Sequence, residues 1–158
     1  MRKKIIIIAF ITLAVFTGIA VNLYLRAVAP VHAAEQKARE IAAQQTSLQK
    51  IERFTLYNGS ETYYVLEGKD ESGDDIIAWI PENEGDITEK NASDGITEQE
   101  AVDELLQEAD PEEIVDIRLG MENNTPLWEI YYRTGDNLMN YYYVNFETGE
   151  KVKDIRNL

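Results

Sequence analysis

PLWEIYYRTGDNLMNYYYVNFETGEKV, residues 126–152, decides the fold. Its halves PLWEIYY (126–132) and NYYYVNF (140–146) are aromatic-rich runs separated by Gly, Asp and Asn, the composition of strands joined by a turn. Side chains alternate along a strand. Trp128, Ile130 and Tyr132 therefore share one face, and Leu127, Glu129 and Tyr131 the other, which Glu129 marks as the wetter. In the second run Tyr142, Val144 and Phe146 group as the core face, leaving Tyr141, Tyr143 and Asn145 outward. A preceding run, EIVDIRLG (113–120), supplies a third strand. Glu147-Thr148-Gly149 reads as a turn, with Val152 and Ile155 available for a short tail strand.

A helix comes before these strands. Thr97 and Glu100 form a capping box, with Ile96 placed to staple against Ala101. Val102, Leu105, Leu106 and Ala109 are expected to line its apolar face, and Asp110-Pro111 to end it. The same order occurs upstream. Ala34, Ala38, Ile41, Ala42 and Gln45 have helical spacing within residues 33–49. IERFTLY (51–57), with Phe54 and Leu56 inward, a turn at Asn58-Gly59, ETYYVLEGK (61–69), a turn at Ser72-Gly73-Asp74 and DIIAWIP (75–81) follow.

An offset of 64 residues maps one unit onto the other: Tyr64 to Trp128, Leu66 to Ile130, Ile77 to Tyr141, Trp79 to Tyr143, Ile80 to Val144 and Gly85 to Gly149. The same offset maps Ala38, Ile41 and Ala42 to Val102, Leu105 and Leu106, while the first strand slips by one, Phe54 to Ile117 and Leu56 to Leu119. The fold class is thus α+β, with two tandem αβββ units at 26–90 and 91–158, each a helix across a three-stranded antiparallel meander. Units this small bury little core alone, so the two are expected to share an interface.

The N-terminus is of another kind. MRKK is followed by an uncharged apolar run, residues 5–25, then Arg26. Twenty-one helical residues rise roughly 31 Å, enough to cross about 30 Å of bilayer hydrocarbon. Arg2, Lys3 and Lys4 hold residues 1–4 in the cytoplasm and send the rest outside as a single-pass cell-membrane protein. A cleaved signal peptide is the alternative, with Val31-His32-Ala33 as its site. An uncleaved span leaves only residues 26–32 as a tether to the first helix.

Net charge is −14 overall. Four of the 15 Lys/Arg and none of the 29 Asp/Glu lie in residues 1–26, so the remainder carries −18. Nucleic-acid binding needs a basic footprint and is excluded, and close electrostatic binding to anionic lipid is disfavoured. A basic patch on a protein partner suits this surface. There is no cysteine. This removes any disulfide framework and any lipid-bearing cysteine.

No residue pattern signals catalysis. The one histidine, His32, lies close to the span, and Ser47, Ser60, Ser72 and Ser93 sit in polar or turn-like settings without a base. DESGDD (70–75) lacks calcium-loop spacing and reads as a solvated turn. No enzyme activity, cofactor, metal or small-molecule substrate is expected. The tyrosines point elsewhere: Tyr131, Tyr141 and Tyr143 are expected on the sheet face that the helix leaves open, as candidate partner-binding residues. The same face also suits packing against the first unit, or a cross-strand aromatic ladder.

YYYVNFETGEKVKDI (141–155) resembles the closing strand of a PepSY-type unit. With LWEIYY (127–132), the basic start, the single span and the two units, the whole chain resembles the YpmB/TseB family of Gram-positive bacteria. That resemblance implies cystatin-like units and a non-enzymatic role in regulating cell-wall elongation. It implies as partner an envelope protein, a penicillin-binding protein of the elongation machinery. It transfers no functional residue. PepSY-type units also occur as propeptide-like inhibitors, which leaves an inhibitor or modulator of an extracellular peptidase as the alternative.

Overall fold

The computed structural model describes residues 2–157. Helix α1 (Arg2–Gln45) has 44 residues, about 66 Å at 1.5 Å per residue. Its first part is apolar enough to cross a membrane, and Phe10, Leu13, Phe16, Ile19 and Leu23 stand clear of the rest of the chain. The break expected at residues 26–32 is absent: α1 continues through Pro30. A proline inside a helix costs about 3 kcal/mol. Here long helical segments on both sides make it cheaper to continue than to stop and nucleate again.

Past the helix come β1 (Lys50–Asn58), β2 (Thr62–Lys69), β3 (Asp75–Pro81) and β4 (Thr88–Asn91), paired in that order as an antiparallel sheet. Then follow α2 (Glu98–Glu108) and β5 (Glu113–Glu122), β6 (Thr125–Thr134), β7 (Leu138–Asn145) and β8 (Lys151–Ile155), a second sheet of the same order. Each unit is therefore αββββ rather than αβββ. β4 reads TEKN. With no apolar alternation it carries no strand signal of its own, although the repeat places it opposite the tail strand that became β8.

Other details preserve the duplication. Both sheets carry a bulge in their first strand, between Ile51 and Arg53 and between Ile114 and Asp116. The buried helix residues are Ala38 and Ala42 in α1 and Ala101 and Leu105 in α2, so helix and first strand share an offset of 63 rather than 64. Leu106, expected inside, is 51% exposed. It stands one residue, about 100°, from Leu105. The capping box is present, with Thr97 Oγ1 accepting from the Glu100 backbone N–H and Glu100 from the Thr97 N–H. The β5–β6 turn uses Asn123 and Asn124 at φ 49° and 59°, the left-handed pair of a type I′ hairpin.

Two cores result. On one face of the first sheet, Tyr64, Leu66, Ile76, Ala78 and Ile80 pack under Ala38, Ala42 and Leu48, with Phe54 and Leu56 half-buried beside them. On its other face Tyr57, Tyr63, Val65, Ile77 and Trp79 join the core of the second unit. Trp79 meets Phe146 edge-on at 5.4 Å. Lys90 pairs with Glu147 at 2.7 Å. The units thus share an interface as expected, and burial on both faces explains why DIIAWIP shows no alternation.

Candidate interaction surface

Strand pairing arranges the face of the second sheet opposite α2 into rows across the strands. One row is Arg118–Glu129–Tyr143–Lys153, and the next is Asp116–Tyr131–Tyr141–Ile155. Beyond them lies Glu113–Arg133–Met139. The β5 bulge returns Glu113 to the same face as Asp116 by inserting one residue between them.

The first row is closed and internally satisfied. Glu129, read from sequence as the mark of a wet face, is only 5% exposed. Arg118 holds it, donating from Nε at 2.7 Å and from Nη2 at 2.5 Å to the same carboxylate oxygen. Burial, together with the neighbouring Glu129 carboxylate, pushes the Tyr143 phenol above its ordinary range. Lys153 lies over the Tyr143 ring at 5.4 Å. Alternation identified the face correctly but carried no information on what covers it.

The first unit provides part of that cover. Tyr57 lies against Gly120, with Arg118 over its ring at 5.7 Å. The Tyr57 hydroxyl donates to Glu122 Oε1 at 3.1 Å, which also accepts the Ser60 backbone N–H at 3.1 Å. Burial and the surrounding carboxylates Glu129 and Glu122 raise the Tyr57 phenol. The offset that places Gly120 at the position of Tyr57 was readable in sequence, but not that the two would touch.

The second row is open. Tyr131 and Tyr141 stack at 5.0 Å with 16° between planes, and Tyr141 and Tyr143 at 6.5 Å with 23°. All three therefore share one face as a cross-strand ladder, with Tyr131 and Tyr141 half-buried and Tyr143 8% exposed. Asp116 is exposed, and Met139 at the next row is 40% exposed. Arg133 donates to Glu113 at 3.1 Å.

Charge is distributed unevenly. Nine cations after residue 26 make ion pairs: Arg39, Lys50, Arg53, Lys69, Lys90, Arg118, Arg133, Lys151 and Arg156. Lys37 and Lys153 lie over tyrosine rings. Free surface charge is therefore negative. His32 is exposed, 3.9 Å from Glu35. In the 70–75 turn Asp70 accepts the Ser72 and Asp74 backbone N–H groups. Among the described residues no three His, Asp or Glu side chains converge as a metal site.

Comparison with known proteins gives consistent results. Residues 37–81 match the family described as "Cell wall elongation regulator TseB-like domain". Residues 95–154 match "Peptidase propeptide and YPEB domain". The chain is 29% identical to "Probable cell wall elongation regulator TseB" of Bacillus subtilis (strain 168), over 98% of this chain and 99% of that protein. Among solved structures it is similar to "YpmB protein from Bacillus subtilis", with TM-score 0.73 and 30% identity, covering 77% of this chain and 95% of that one.

Proposed function

Since the chain belongs to the YpmB/TseB family, we propose that it regulates cell-wall elongation as a non-enzymatic, membrane-anchored protein that binds an envelope protein. The partner proposed is a penicillin-binding protein. One observation carries the reading: α1 runs without a break from its lipid-compatible segment to Ala38 and Ala42 in the first core. Ala38 lies thirteen residues past Leu25, about 20 Å along the helix. The paired units are thus held beside the bilayer, where a membrane-bound wall-synthesis protein also works. Basic residues before the span favour a cytoplasmic N-terminus and extracytoplasmic units. Tyr131 and Tyr141 offer rigid amphipathic contact area, and Tyr143 forms the platform beside them.

The test is copurification from membranes. Full-length protein is expected to retain a penicillin-binding protein, and deletion of residues 2–25 to abolish capture. Recovery of none with the intact chain refutes the partner. The propeptide-type match over residues 95–154 supports a second reading, a modulator of an extracellular peptidase. Stoichiometric inhibition of an added secreted protease by the detergent-solubilised full chain favours that reading.

A further inference from the structure

Asp116, Tyr131, Tyr141 and Ile155 lie in register across β5 to β8, next to a row that already contains its cations. We propose that this open row is a receptor for an arginine side chain presented by a partner protein. The inference rests on the reading that this face binds protein, and it specifies the chemistry bound.

The adjoining row gives the template. There Arg118 neutralises Glu129, and Lys153 covers Tyr143 at 5.4 Å. Elsewhere Arg118 covers Tyr57 at 5.7 Å and Lys37 covers Tyr64 at 5.5 Å. Three tyrosine rings of this chain thus carry a cation from the chain itself. In the open row the pattern is incomplete: among the described residues no cation lies over Tyr131 or Tyr141, and Asp116, which Arg118 attracts only from the adjoining row, makes no ion pair within 4 Å. Arg133, on the neighbouring row, is paired with Glu113 at 3.1 Å.

The region after residue 26 has no spare cation for the position. All eleven Lys/Arg after residue 26 are in ion pairs or over rings, in a region of net charge −18. A partner must supply it. Two stacked rings and a carboxylate at their end select a planar guanidinium, which stacks on an aromatic face and meets a carboxylate with two donors. Ile155 and Met139 supply apolar surface for its aliphatic stem. The row is also continuous with the one against which the first unit docks through Tyr57.

The experiment uses full-length protein labelled with 3-fluorotyrosine in detergent micelles, its signals assigned by Tyr131→Phe and Tyr141→Phe. Three acetylated, amidated tripeptides are titrated: Ala-Arg-Ala, Ala-Lys-Ala and Ala-citrulline-Ala. Saturable shifts of the Tyr131 and Tyr141 signals are expected with the arginine peptide, about threefold weaker affinity with lysine, and no binding with neutral citrulline. Asp116→Asn is expected to weaken arginine binding about threefold to tenfold while the other tyrosine signals keep their positions. Equal binding of citrulline, no effect of Asp116→Asn, or equal shifts at Tyr63 and Tyr64 overturns the inference. Equal capture of a penicillin-binding protein by Asp116→Asn and the unaltered chain refutes this site and leaves the proposed function standing. Arginine binding at the row without such capture supports the site and refutes that partner.

Discussion

Gly120 shows how tightly single residues join the units. A Cβ there would fall 2.3 Å from the Tyr57 ring. Gly120→Ala is expected to cost about 1–3 kcal/mol through overpacking, read as a lower melting temperature. An unchanged melting temperature would mean that the Tyr57 contact is loose. Nearby, burial alone would raise the Glu122 carboxyl, but hydrogen bonds from Ser60 and Tyr57 outweigh it and hold it below its usual value of 4.5. A lowered carboxylate contributes stability that is present above the unfolded value and lost as pH falls through the folded one. Denaturation curves below pH 4.5 should therefore show a loss for the unaltered protein that Glu122→Gln lacks. Parallel pH profiles for the two proteins would refute this role.

Among the elements, α2 depends most on its cap. Thr97→Ala removes the acceptor for the Glu100 N–H, and about 1 kcal/mol should be lost in denaturant unfolding. This signal was legible because a cap is local chemistry, written within four residues of chain. β4 was not legible. TEKN is made into a strand by the edge of β3, where Ile76 to Trp79 pair with Asn91 to Thr88. Nor was the continuity of α1, because Pro30 and the change from apolar to polar residues look like a boundary. Replacing residues 26–32 with Gly-Ser repeats of equal length should uncouple span and sheet. Spin labels on cysteines introduced at Phe16 and Asn58, in this cysteine-free chain, should give a narrow distance distribution in the unaltered helix and a broad one in the replacement. Two broad distributions would show that α1 is not stiff.

At the scale of the whole molecule the units share one core because the first sheet is buried on both faces, and they are expected to unfold together. Trp79 is fully buried against Phe146. Trp79→Ala should cost about 3–5 kcal/mol and shift a single cooperative transition in calorimetry rather than split it. Two separate transitions in the unaltered protein would refute a shared core. Removing the second unit should likewise expose Tyr63, Val65, Ile77 and Trp79 and promote aggregation of the first.

What the sequence by itself determined about this protein is what depends on neighbours in the chain. The apolar N-terminal helix, the α2 cap, the alternation of the main strands, the duplication and the shared face of Tyr131, Tyr141 and Tyr143 all belong here. Only the tertiary structure decided which alternating faces are closed and which stay open. Glu129 and Tyr143 lie under the contacts of Arg118 and Lys153 beside the docked first unit, whereas Asp116, Tyr131 and Tyr141, one row away, face outward. The physical reason is that periodicity fixes the direction of a side chain relative to its own strand. Whether that direction meets water or protein depends on a contact such as Tyr57 on Gly120, made between residues more than sixty positions apart.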